Sequence, residues 1–131
     1  MKLLLDTHTM VWYWSGEKPL PDRVVSHIRN PAHSIFISPA SLWELAIKIS
    51  LGKWILHVPY SELMYDLIVR YNFQILHITP LHTEQILTLP LPVEHRDPFD
   101  RLLAAQALAE DIPILSIDEC VDVYHVVRLW K

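Results

Sequence analysis

Glycine is scarce: Gly16 and Gly52 are the whole complement. Phosphate-cradling loops need several glycines at fixed spacing, so the common kinds of nucleoside triphosphate binding are excluded. A single cysteine, Cys120, leaves no internal disulfide. Long apolar runs are missing as well, and nothing approaches the roughly 20 residues that a membrane-spanning helix needs. The short apolar start MKLLLD is interrupted by Asp6, so it is not read as a secretion signal and the expected location is the cytoplasm. Positive charge is in deficit, with 11 Lys and Arg against 15 Asp and Glu for a net charge of −4. A broad basic surface for nucleic acid is therefore not expected, and any nucleic acid must be held locally, through a bound cation or a few arginines and lysines. Repeats and low-complexity tracts are also lacking, and the ten prolines are scattered except in PLPVEHRDP, which reads as one loop.

What is present is a chain of 131 residues, about half of them apolar. That is enough for one globular domain that removes roughly two thirds of its unfolded surface from water. Five short apolar runs read as strands: KLLLD, SIFIS, FQILHI, IPILSID and HVVRLW. Helical patterns lie between them, around TMVWYW and over residues 22–30, 39–51, 61–71, 80–87 and 98–110. Ser38, Thr79 and Asp97 each precede a proline, the arrangement of a capping residue before the first helical position, and Gly52 closes the third pattern. Strands that are apolar throughout and alternate with helices imply an α/β fold with a mainly parallel sheet of four to five strands, covered on both faces.

In such a sheet ligands bind at the carboxyl ends of the strands, where strand order reverses. Asp6 ends the first strand and Asp118 the fourth, Glu44 lies in the second turn of PASLWELAIKISLG, and Asp100 in the first turn after Asp97-Pro98. Asp100 is unexpected there, because it shares a stripe with Leu103, Ala104 and Ala107, where an unpaired charge is costly. Each acid has a plainer role: Asp6 and Asp118 as helix caps, Glu44 as the partner of Lys48, Asp100 as a shortened capping box. Together, however, all four point to one edge of one sheet. Converging carboxylates repel unless a cation sits among them, and a set without cysteine suits Mg²⁺ or Mn²⁺ rather than zinc. The matching chemistry is metal-dependent hydrolysis of phosphate esters. The eight histidines (8, 27, 33, 57, 77, 82, 95 and 125) show no helical metal-binding spacing and read as surface or packing residues. DTH opens like the Asp-x-His of binuclear metallophosphoesterases, but the Gly-Asp and Gly-His pieces of that class are missing.

LLLDTHTMVWYW, SPASLWELAIKISLGK, LPLPVEHRDPFDRLLAAQAL, ILSID and the ending VVRLW, in that order, resemble a PIN domain of the VapC toxin type, the ribonuclease half of bacterial toxin–antitoxin pairs. The resemblance covers essentially the whole chain, 1–131. It implies a Mg²⁺-dependent endoribonuclease that forms a homodimer and is inhibited by a cognate antitoxin. The acidic tetrad it implies falls on Asp6, Glu44, Asp100 and Asp118, with Asp6 and Asp100 the chief metal ligands and Glu44 assisting a second ion or the attacking water. Thr7 and Ser116 match hydroxyl positions that orient the first aspartate. Lys48, Arg96 and Arg101 are candidate phosphate contacts, with Arg101 read first as a solvated helix residue. His8, Val121 and residues 125–127 depart from the family's usual choices. Of Trp12, Tyr13 and Trp14, two are expected in the core and one near the surface, facing either an antitoxin or a base. The reading outside this class is a non-catalytic interaction module whose acids only cap helices, and another metal-dependent phosphoesterase is the nearer alternative.

Asp97 provides a first check. As a cap, Asp97→Ala is expected to cost about 1 kcal/mol in a denaturant melt, and Asp97→Asn, itself a good cap, little.

Overall fold

A computed structural model describes residues 1–94 and 96–130; His95, counted above with the surface or packing histidines, lies outside the described residues. The first strand, β1 (Lys2–Leu5), is followed directly by helix α1 (Thr7–Ser15), then α2 (Asp22–Arg29), β2 (Ser34–Ile37) and α3 (Pro39–Ser50). Helix α4 (Tyr60–Tyr65) continues as a π-helical turn over Asp66–Arg70, and β3 (Gln74–Ile75) follows. The second half holds α5 (Pro80–Ile86), α6 (Pro98–Glu110), β4 (Ile114–Leu115), a 3₁₀ turn over Glu119–Tyr124 and β5 (Arg128–Leu129).

All four strand pairings are parallel, and the sheet order is β3-β2-β1-β4-β5. The chain builds outward from β1 to β3, then returns to the other side of β1 for β4 and β5. The reversal therefore lies between β1 and β4, where the two carboxyl ends leave a crevice. The period-2 alternation of strand side chains feeds two cores. Leu3, Leu5, Ile35, Ile37 and Leu115 pack on one face with Met10, Val24, Leu45 and Leu67. Leu4 and Ile114 pack on the other with Leu103, Ala104, Ala107 and Tyr124. Every strand residue from Leu3 to Leu5 is fully buried, as a central parallel strand must be.

The three Xaa-Pro caps are found where expected. Ser38 accepts from the N–H of Ala40, and Asp97 from those of Phe99 and Asp100. Thr79 forms a reciprocal capping box with His82, an imidazole standing where the usual box has Glu or Gln. His82 is buried, a packing histidine as expected. Three strands are shorter than their apolar runs: FQILHI, IPILSID and HVVRLW each keep only two ladder residues. Apolar runs mark what is buried, and here burial continues beyond the hydrogen-bonded register. The 3₁₀ turn after Asp118 has no apolar periodicity to announce it.

Arg101 corrects an expectation. It is 8% exposed, donates through Nη1 to the Pro90 carbonyl at 2.7 Å, and lies over the Tyr124 ring at 5.4 Å. The guanidinium ties the proline-rich loop to α6 and is neither a solvated residue nor part of the acidic cleft described below. Arg96 likewise donates to the Pro92 carbonyl of that loop.

Helix α6 is tied to the sheet by Gln106, which is fully buried. Its Nε2 donates to the Leu76 carbonyl at 2.9 Å, and its Oε1 accepts from the Ser38 hydroxyl. Gln106→Leu keeps the volume but strips both partners, so a loss of about 1–3 kcal/mol in urea unfolding is expected.

Candidate active site

The carboxyl edge of β1 carries the first acid. Asp6 is 6% exposed, and its Oδ1 caps α1 by accepting from the N–H of Thr9 at 2.8 Å. The Ser116 hydroxyl bonds to the same carboxylate from the end of β4. Burial pushes the Asp6 carboxyl above the ordinary carboxylate range, while the bonds from Ser116 and Thr9 and the nearby His8 pull the other way. Ser116 also accepts from the N–H of Asp118 at 3.0 Å, so one hydroxyl links two acids. Asp118 in turn caps the 3₁₀ turn through the N–H of Cys120 at 2.9 Å.

Glu44 reaches the same place from α3. Its Oε1 accepts from the Thr7 hydroxyl at 2.7 Å, with Ser41 Oγ 3.0 Å from that hydroxyl, and its Oε2 pairs with Lys48 at 3.1 Å. The helical pair expected from the sequence is thus formed, but at a buried glutamate rather than on a solvated face. Thr7 orients Glu44, not Asp6; of the two hydroxyls expected to hold Asp6, only Ser116 does so. Thr9 supplies the other hold, and its own hydroxyl donates to the Leu115 carbonyl at 3.0 Å. That bond spans the β1–β4 crevice, a long-range contact for which the sequence carries no signal.

Asp6, Thr7, His8, Glu44, Lys48, Asp97, Asp100 and Asp118 line one cleft of about 290 Å³. All four acids of the expected tetrad are there, with Asp97 as a fifth. Counting only Asp, Glu, Lys and Arg, the five acids and Lys48 leave a formal excess of four negative charges, as large as the net charge of the entire chain. Capping and lining are not alternatives: Asp6, Asp97 and Asp118 do both. Asp100, half-buried on α6, lines the same wall, and its own N–H is capped by Asp97.

The donors are carboxylate oxygens without a thiolate, a set suited to a hard divalent cation. Among the described residues, no three Asp, Glu, His or Cys side chains are drawn together tightly enough to enclose an ion. Glu44 is turned toward Lys48 and Thr7, and mutual repulsion keeps unneutralised carboxylates apart.

Three aromatic residues of α1 divide as expected. Tyr13 and Trp14 pack against the core, while Trp12 lies outside it, 5.3 Å from the His8 ring and beneath Lys18 Nζ at 4.6 Å.

A sequence model of the family described as PIN domain matches residues 3–124. Comparison of the sequence with curated proteins gives no match. Among solved structures, the chain is similar to VapBC2 from Rickettsia felis bound to a DNA fragment from their promoter, at 18% identity over 100% of both chains and a TM-score of 0.77. FitAcB from Neisseria gonorrhoeae gives 16% identity, 97% and 96% coverage and 0.68; VapBC-1 from nontypeable Haemophilus influenzae gives 16%, 98% and 97%, and 0.64. At these identities the likeness is one of fold.

The raised Asp6 value sets a pH dependence for the metal-free protein. A carboxyl raised in the folded state contributes stability that is complete below its unfolded value of 3.8 and is lost as pH rises through the folded value. Asp6→Asn keeps an oxygen for the Thr9 cap but does not ionise. Its melting temperature is expected to exceed the wild type's at neutral pH, with the gap narrowing toward about pH 4. A pH-independent gap would mean that burial does not hold the Asp6 proton.

Proposed function

Because the chain belongs to the PIN domain family, we propose that it is a divalent-metal-dependent endoribonuclease and the toxin of a toxin–antitoxin pair. The family is as a rule one of nucleases, which supports a hydrolase. The observation that carries the finer reading is the cleft of five carboxylates at the strand-order reversal. The oxygen donors there suit a hard cation, around which Asp6, Asp100 and Asp118 would gather, with Glu44 assisting. Such an ion supplies an activated water and charge neutralisation at the leaving oxygen of a phosphodiester.

The chain's own residues do the positioning. Ser116 and the Thr9 N–H fix Asp6 before any ligand arrives, and Thr7 fixes Glu44. Asp6 is thus held ahead of any ion, and the other carboxylates would close on that ion as it neutralises their charge. Lys48, paired with Glu44 at the mouth of the cleft, offers a cation to an RNA phosphate and is the one proposed phosphate contact that lines it. With no broad basic surface, RNA is held at the cleft and not along the molecule.

An antitoxin partner and a second copy of the chain belong to the same reading. Exposed Trp43, Ile55, Tyr65 and Val69 are apolar surface that binding would cover. Trp43 stands edge-on to Phe99 at 5.3 Å, linking α3 to the start of α6 beside the acids. No helix among the described residues is long and apolar enough to cross a membrane.

Cleavage of single-stranded RNA is expected with Mg²⁺ or Mn²⁺ and should stop with chelator. Mn²⁺ should also raise the melting midpoint, because an ion that binds only the folded state stabilises it. Asp100→Asn is expected to leave the metal-free protein as stable or more so, while cleavage falls by orders of magnitude. A midpoint indifferent to millimolar metal, with cleavage persisting in Asp100→Asn, would make the acids helix caps of an interaction module.

A further inference from the structure

Next to the acidic cleft lies a second one of about 200 Å³, with Trp12 and Trp54 among its walls together with Val11, Leu45, Lys48 and Lys53. The two clefts share Thr7, His8 and Lys48. Three of the chain's five lysines gather here: Lys48 and Lys53 in the wall, and Lys18 over the Trp12 ring at 4.6 Å. Glu17 also lines this cleft and Lys48 pairs with Glu44, so the excess of positive charge beside the aromatic faces is carried by Lys18 and Lys53. The sequence around the three aromatic residues of α1 holds only one lysine; the other two are brought in from the end of α3 and the loop after it.

The Trp54 ring is already fixed. Its indole N–H donates to Glu17 Oε1 at 3.2 Å, and its plane meets Trp14 edge-on at 6.3 Å and 76°. Trp14 is pinned in turn by a 2.8 Å bond from its indole N–H to Asp66. A preordered ring loses little freedom when a ligand stacks on it.

We propose that this cleft is a base subsite, which takes one unpaired RNA base adjoining the phosphate held at the acids. It rests on the nuclease reading above and adds where the substrate is gripped. Every base has a π-face, so an aromatic wall with lysines beside it suits single-stranded nucleic acid of varied sequence. Lysines on the rim meet the flanking phosphates, and the shared wall lets one strand reach both clefts. An uncharged apolar peptide side chain would gain nothing from the three lysines.

The test measures binding of a fluorescein-labelled hexaribonucleotide to the whole chain in EDTA, where no cleavage intervenes. Six counterparts carry one abasic ribose each. Loss of the base at one or two positions is expected to weaken binding about fivefold or more and to remove quenching of indole fluorescence. Trp54→Leu should abolish that discrimination, with folding checked by its melt. Trp12→Leu gives the same reading at a ring outside the core. Lys53→Gln should weaken all the oligomers alike and lower the salt slope by about 1. Equal binding of intact and abasic strands overturns the subsite, as does discrimination that survives in both tryptophan variants. Indole quenching by a partner peptide but not by RNA would assign the cleft to protein binding and also overturn it. Cleavage of the same hexamer with Mg²⁺ is scored separately. Cleavage without base discrimination sinks the subsite alone, whereas discrimination without cleavage sinks the nuclease reading and leaves the subsite.

Discussion

Repulsion among carboxylates is the constraint around which the rest is arranged. Five acids share one cleft with a single lysine, and one of them, Asp6, is nearly sealed from water. Such a cluster works against the folded state, and the surrounding structure offsets it through fixed donors. Asp6, Asp97 and Asp118 each accept from a helix N-terminal N–H, where a negative charge is favoured. Two hydroxyl side chains then brace the acids: Thr7 donates to Glu44, and Ser116 bonds the Asp6 carboxylate while accepting from the N–H of Asp118.

Helix capping and metal chemistry therefore need not compete for the same residues. The capping bonds at Asp6, Asp97 and Asp118 all engage Oδ1, and the same side chains face the cleft. The strand-order reversal between β1 and β4 brings these N-termini side by side, and a doubly wound parallel sheet has one such edge. The two cores on either face of the sheet hold that edge rigid, and Gln106 fastens α6 across it to the ends of β2 and β3.

The cations are as local as the anions. Lys48 neutralises part of the acid cluster, while Lys18 and Lys53 stand with it along the neighbouring aromatic cleft. The two guanidinium groups nearest the acids in sequence, Arg96 and Arg101, are instead committed to carbonyls of the proline-rich loop. Charge near an acid in sequence was a poor guide to charge near it in space, because α6 turns Arg101 one residue away from Asp100 and into the packed interior.

The sequence by itself determined the parallel α/β class, the three proline-preceded caps and the four acids, since apolar periodicity, capping chemistry and the ends of strands are local properties of the chain. It also carried the division of Trp12, Tyr13 and Trp14, because successive helical positions cannot all face one core. Only the tertiary structure decided which hydroxyl holds which acid. Thr7 lies next to Asp6 in the chain, but the first turn of α1 directs it at Glu44 on a neighbouring helix. It likewise decided that Arg101 is buried, that three apolar runs keep only two ladder residues each, and that Trp12 and Trp54 come to share a cleft with Lys48 and Lys53. These are contacts between segments far apart in sequence. Their geometry follows from how the elements pack on the sheet, and no local pattern of residues encodes it.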